Sequence, residues 1–183
     1  MSTLLRFDKV ALRRGGRLLF QDLDLELGPG QALQVAGPNG SGKSSLIRLA
    51  AGLLRAERGS IKRAEVALAD DKLAIDRELP LRRALTFWGG DIDQAMEALG
   101  VTPLADVPVR LLSTGQLKRA TLARVAASSA RLWLLDEPFN GLDPDGAERL
   151  ASLIDRHRAS GGAVLAASHL ALASEWRRLD LSR

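Results

Sequence analysis

Gly37-Pro38-Asn39-Gly40-Ser41-Gly42-Lys43-Ser44 fits the pattern G-x-x-x-x-G-K-[ST] at every position. An apolar run, Ala32 to Ala36, precedes it and reads as a strand. Ser44 to Ala51 follows and reads as a helix closed by Gly52. The strand–loop–helix context is the one this pattern needs. The glycines let the backbone curl, so that successive N–H groups point inward at phosphate oxygens, and the helix N-terminus adds partial positive charge. Lys43 is expected to neutralise the β- and γ-phosphates of a nucleotide. Ser44 offers a hydroxyl to Mg²⁺, and Ser45 is placed to touch the α-phosphate.

Outward from the loop, Leu4 to Leu12 and Arg17 to Leu27 carry alternating apolar residues around a Gly15-Gly16 hairpin signal, and Gly28-Pro29-Gly30 is a second turn. Ser60 to Ala69 reads as one or two strands. From Pro80 to about Ser128 the pattern turns helical. Pro80 suits the first turn of a helix through Trp88, Ile92 to Leu99 forms a second helix ended by Gly100, and Ser113 caps a third. The last third alternates again: strand Leu132 to Leu135, amphipathic helix Asp145 to Ser160, strand Ala163 to Ala167 and a short helix Leu170 to Trp176. This order predicts one domain over residues 1–183. It is an α/β fold with a largely parallel sheet, an N-terminal antiparallel β-subdomain and a helical subdomain inserted at about residues 80–128.

Leu132-Trp133-Leu134-Leu135 runs into Asp136-Glu137. A carboxylate at the carboxyl end of a strand lies where open α/β sheets bind ligands. Asp136 can hold Mg²⁺, directly or through water. Glu137, further out, is the candidate general base for an attacking water.

Composition narrows the classes. The chain has no cysteine, which excludes disulfides, thiolate metal sites and cysteine nucleophiles. Met1 to Arg6 has no apolar core behind it, and no apolar run approaches the roughly 20 residues of a membrane span. The net charge of +4 comes from arginines spread along the chain without aromatic interleaving, so nucleic acid is not expected as a partner.

A third motif adds a family. Leu112-Ser113-Thr114-Gly115-Gln116 matches the L-S-x-G-Q signature, so the chain resembles ATP-binding cassette (ABC) ATPases, a branch of the P-loop NTPases. Pro138-Phe139-Asn140-Gly141-Leu142-Asp143 resembles the family's D-loop, and His169, after the strand Ala163 to Ala167, resembles its switch histidine. The resemblance covers residues 37–169. It implies ATP and Mg²⁺ as ligands, with Gly37 to Ser45 on the phosphates and Ser44 and Asp136 at the metal. Glu137 and His169 are then catalytic. Ser113, Gly115 and Gln116 seal the γ-phosphate of a second copy, and Asp143 crosses that head-to-tail interface. One phosphate loop leaves the γ-phosphate exposed on one side, which the second copy corrects.

Softer stretches resemble the ATP-binding subunits of cytochrome c maturation haem exporters: Gly15 to Phe20, Ala84 to Trp88 and Val107 to Ser113. That resemblance implies a peripheral ATPase of the translocase class on the cytoplasmic face of a bacterial inner membrane. Its partners would be integral membrane subunits of the CcmB and CcmC type. Hydrolysis would help release haem-loaded chaperone, and no direct haem ligand is seen in this chain. The alternatives are the cassette of another membrane transporter, a soluble cassette acting on nucleic acid, and a binding-only module using ATP as a clamp.

Two family features are missing. The first hairpin normally offers a tyrosine to stack on adenine; this chain has none, and Arg13 or Arg14 stands roughly there. The family's glutamine between the phosphate loop and the signature is also missing from Val66 to Leu73, and Gln94 lies too far along, inside a helix, leaving Asp70, Asp71 or Lys72 at that spot.

Overall fold

The computed structural model describes residues 3–70, 75–170, 172 and 175–181. Eight strands and five α-helices alternate in the described chain. β1 (Leu5–Arg14) and β2 (Arg17–Leu27) form the expected hairpin, with Gly15 and Gly16 both in the left-handed region at φ 54° and 79°. β4 (Arg58–Arg63) pairs on the other side of β1, giving an antiparallel sheet of order β2-β1-β4. β1 buries Leu5 and Phe7 by alternation, and Val10 after a register shift between Phe7 and Val10.

β3 (Ala32–Ala36), β5 (Val66–Ala69), β6 (Leu132–Asp136), β7 (Ala163–Ala167) and β8 (Arg177–Asp180) form a wholly parallel sheet in the order β5-β6-β7-β3-β8. β3, β6 and β7 are buried along their whole length, as strands covered on both faces require, and this explains their continuous apolar sequence. α1 (Lys43–Ala50) packs on β6 and β7 through Leu46, Ile47 and Leu49, in one core with Leu33, Val35, Leu134 and Leu165. Both sheets and α1 belong to one compact unit, made of Met1–Asp70, Ala130–Glu137 and His157–Arg183.

The second unit consists of Asp71–Ser129 and Pro138–Arg156. It holds α2 (Leu81–Thr86), α3 (Ile92–Ala98), α4 (Thr114–Ala127) and most of α5 (Pro144–Ala159). Asp91 caps α3 by accepting from Gln94 N at 3.0 Å. Leu81, Leu85, Met96, Leu99 and Leu122 are fully buried here, and α3 packs against α4. Gly90 is obligatory at its position: its φ is 82°, and a Cβ would fall 1.7 Å from the Ala127 carbonyl oxygen.

Three expectations change. Pro80 precedes α2 as its N-cap, in extended backbone, and the helix ends at Thr86 short of Trp88. The helix expected over Leu170 to Trp176 falls partly outside the described residues, and the described positions Leu170, Leu172, Glu175 and Trp176 are not helical. The chain instead continues into β8, a short polar edge strand whose sequence Arg-Arg-Leu-Asp carries little alternation signal.

Candidate functional site

The parallel sheet gathers the site by register. Asp136 of β6 aligns with Ala167 of β7, and Ala167 aligns with Val35 of β3. The segments leaving these three adjacent strands therefore emerge at one edge of the sheet. They are the glycine-rich loop after Ala36, the Asp136-Glu137 pair and the Ser168-His169 turn.

The loop is shaped by backbone that only glycine adopts easily. Gly37, Gly40 and Gly42 have φ of 144°, 79° and 108°. At Gly37 a Cβ would lie 2.7 Å from Ser41 Oγ, and at Gly42 it would lie 3.3 Å from Leu19 Cβ. Gly42 is the N-cap of α1, with no side-chain cap and no acidic residue in the first turn, so the helix itself does not offset its positive end. Lys43 is 6% exposed and donates from Nζ to the carbonyl oxygens of Gly37 (2.9 Å) and Pro38 (3.2 Å). The ammonium is thereby folded into the curl of the loop. Pro38, Asn39 and Gly40 are exposed, Ser44 is half-buried, and Ser41 and Ser45 are buried. Ser41 Oγ has no hydrogen-bond partner among the described residues. A buried, unpartnered hydroxyl in the same glycine-rich loop as a folded-in lysine suits the donor set that oxygen-rich polyphosphate requires.

Asp136 is 7% exposed at the end of β6. Glu137 follows at φ 46°, a left-handed conformation that costs a non-glycine residue about 1–3 kcal/mol. Its N–H donates to the Ala167 carbonyl at 2.9 Å, which fixes the bend. The bend turns the carboxylate toward His169: Oε2 lies 3.0 Å from His169 Nδ1 and accepts from His169 N at 3.4 Å. A carboxylate and an imidazole in contact can orient a water and carry its proton. Among the described residues no group of three or more His, Asp or Glu could hold a metal alone. A divalent ion that keeps water and takes phosphate oxygens, as Mg²⁺ does, fits one hydroxyl and one carboxylate better than a full protein cage would.

Sequence reasoning missed Gln34. It is 5% exposed in β3, and its Nε2 donates to the carbonyl oxygens of Ser168 (3.3 Å) and Leu170 (2.6 Å), while Leu172 N donates to its Oε1 at 3.3 Å. The amide thus grips the backbone on both sides of His169. The signal was available, since a lone polar residue inside Ala-Leu-Gln-Val-Ala must find buried partners.

Of the residues proposed to fill the missing glutamine's place, Asp71 and Lys72 lie outside the described residues. Asp70 is 7% exposed in its side chain and pairs with Arg48 of α1 at 3.3 Å. Arg13 and Arg14 separate clearly. Arg13 donates to Gly16 O at 3.0 Å and pairs with Glu57 at 3.5 Å. Arg14 Nη1 instead reaches Ser45 Oγ at 3.4 Å.

In the second unit Ser113 caps α4 through a reciprocal box. Gln116 N donates to Ser113 Oγ (3.3 Å), and Ser113 N donates to Gln116 Oε1 (2.9 Å). A Cβ on Gly115 would lie 3.1 Å from the Gly141 carbonyl oxygen, so the D-loop-like turn closes on the start of α4. Arg119 strengthens this closure, donating from Nη2 to both oxygens of Asp143 at 2.6 Å. Asp143 Oδ1 also accepts from Gly146 N at 3.0 Å at the start of α5. Asp143 therefore has local partners within its own unit, and Arg119 was not foreseen.

Residues 20–140 match the family model described as ABC transporter. A cytochrome c biogenesis ATP-binding export protein CcmA from Sphingopyxis alaskensis is 56% identical over 181 residues, spanning 94% of this chain and 93% of that protein. The CcmA of Novosphingobium aromaticivorans is 56% identical over 170 residues, spanning 91% and 88%. Among solved structures, an ABC transporter ATP-binding protein from Pyrococcus furiosus superposes with a TM-score of 0.86 over 98% of both chains at 19% identity, a likeness of fold.

Proposed function

The chain belongs to the ABC transporter family, among its cytochrome c biogenesis ATP-binding export proteins of the CcmA kind, and from that premise we propose that it hydrolyses Mg-ATP to drive a membrane complex in cytochrome c assembly. The observation that carries the chemistry is the 3.0 Å contact of Glu137 and His169 at the sheet edge from which the phosphate loop also emerges.

In this reading the loop amides, Lys43 and Ser41 bind the triphosphate. Ser44 and Asp136 would hold Mg²⁺, which would supply charge neutralisation on the triphosphate. Glu137 accepts hydrogen from the attacking water, and His169 holds Glu137 in place and meets the γ-phosphate. A second copy completes the site head-to-tail. Its Ser113, Gly115 and Gln116 cover the exposed face of the nucleotide, and the Arg119–Asp143 closure shapes that surface. The capping box supports this role by fixing the start of α4, whose N-terminus carries partial positive charge.

No helix among the described residues is long and apolar enough to cross a membrane. Integral subunits of the CcmB and CcmC type then supply the membrane-spanning part, with this chain peripheral on the cytoplasmic face of the bacterial inner membrane. Hydrolysis helps release haem-loaded chaperone, and haem does not need to touch this chain.

The test pairs turnover with assembly. The parent should release phosphate from ATP, and Glu137→Gln should retain ATP, stop turnover and run as a dimer on sizing. Co-purification with membrane subunits should raise the parent's rate. Equal, slow turnover in parent and variant would remove Glu137 from the chemistry and favour the binding-only clamp.

A further inference from the structure

We propose that Arg14 is a nucleotide-binding residue that pairs with the α-phosphate, and that this chain consequently binds ATP and GTP almost equally. The proposal rests on the phosphate-loop reading above.

The hairpin of β1 and β2 lies against the loop: Leu19 of β2 sits where a Cβ on Gly42 would meet it at 3.3 Å. Arg14, the last residue of β1, extends from this hairpin to Ser45 Oγ at 3.4 Å. Ser45 is two residues past Lys43, on the first turn of α1, where the motif brings the α-phosphate. Arg14 has no carboxylate partner among the described residues, whereas its neighbour Arg13 is held by Glu57. A guanidinium and an ammonium converging on one helix N-terminus, with no acid beside the guanidinium, form an electrostatic arrangement that an anion stabilises.

Among the described residues of this unit, no phenylalanine or tryptophan is presented to an adenine ring near the loop. Phe7, Phe20 and Trp133 are 2%, 9% and 4% exposed. Trp176 is half-buried but precedes Arg177, which aligns with Leu33 near the start of β3; the loop leaves β3 at its other end. Recognition through phosphate charge alone does not read the base. A charge-assisted hydrogen bond of this kind contributes about a tenfold factor in affinity or more.

The experiment is equilibrium binding of ATP, GTP and inorganic tripolyphosphate to the full chain, in the parent, Arg14→Ala, Arg14→Lys and Arg13→Ala, with thermal midpoints to verify folding. The parent should bind ATP and GTP within about threefold of each other. Arg14→Ala should weaken all three ligands by about tenfold or more. Arg14→Lys should recover most of that loss, and Arg13→Ala should stay within about twofold of the parent. The proposal is overturned if Arg14→Ala binds ATP like the parent, if the parent prefers ATP over GTP by more than about tenfold, or if Arg13→Ala loses as much as Arg14→Ala. A loss confined to ATP and GTP, sparing tripolyphosphate, would move the guanidinium to the base and overturn it too. A parent that binds none of the three would overturn the phosphate-loop reading itself, a result distinct from every other outcome.

Discussion

Glu137 Oε2 stands 3.0 Å from His169 Nδ1, so the residue that follows β6 and the turn that leaves β7 meet directly. The left-handed backbone at Glu137 is what aims the carboxylate there. Glu137→Gln keeps a hydrogen-bonding group in that geometry and removes the base. Turnover should fall by about a hundredfold or more, as general-base catalysis allows, while ATP affinity changes little because the lost interaction belongs to the transition state. Phosphate release and nucleotide retention, measured on the same preparation, check both halves.

Gln34 acts on the same turn from beneath. Replacing it with leucine keeps the volume but leaves the Ser168 and Leu170 carbonyls without their donor. Stability should drop by about 1–3 kcal/mol in urea unfolding. Turnover should drop with little change in KM, because His169 loses its placement while the phosphate loop is untouched. The discriminating measurement is a double-mutant cycle with His169→Ala. If Gln34 works through His169, the two losses in rate will not add.

These two residues mark what the sequence could and could not disclose. The curl of the loop from Gly37 to Gly42 was legible because its glycines are demanded by local backbone geometry. β3 and β7 were legible because strands buried on both faces are continuously apolar. Ser113 was legible as a cap because capping is local. Gln34 could be read as needing buried partners, but which partners it and Arg119 find could not, since these lie 134 to 138 and 24 to 26 residues away and only the fold brings them together. The choice between Arg13 and Arg14 stayed open for a related reason. β1 shifts register between Leu12 and Arg13, so simple alternation cannot say which side chain faces the loop.

Arg119 ties α4 to the D-loop-like turn through two 2.6 Å bonds to Asp143. Asp143 is more than half exposed, so solvent screens part of this pairing, but Arg119 is only 16% exposed and its fork is divided, Nη2 on Asp143 and Nη1 on Asp145 at 3.2 Å. A cycle of Arg119→Ala and Asp143→Ala should give a coupling energy of about 0.5–3 kcal/mol in stability. Arg119→Lys should not restore it in full, since one ammonium cannot serve Asp143 and Asp145 together as the two guanidinium nitrogens do. If the closure shapes the surface offered to the second copy, each single variant should also weaken ATP-dependent dimerisation in the Glu137→Gln background. Binding of ATP to the monomer should remain.

His157 gives the fold a pH dependence separate from catalysis. Its ring stacks on Trp133 at 3.8 Å between centroids, 10° from parallel, and a Cβ on Gly162 would press within 2.2 Å of Nε2. Burial holds its pKa below the usual histidine value of 6.5, and backbone groups of Arg131 and Ala163 offset this only in part. The folded chain therefore prefers the neutral ring. Above pH 6.5 the ring is neutral in both the folded and unfolded states, and the stabilisation is fully present. As pH falls below that value the unfolded chain binds a proton first, and stability declines until the folded ring is also protonated. His157→Gln should lose the stacking at every pH but flatten this component. The urea midpoint of the parent should therefore fall more between pH 7.5 and pH 5 than that of the variant. Equal falls in the two proteins would show that His157 is not the group responsible, and would leave the acid sensitivity to the carboxylate pairs.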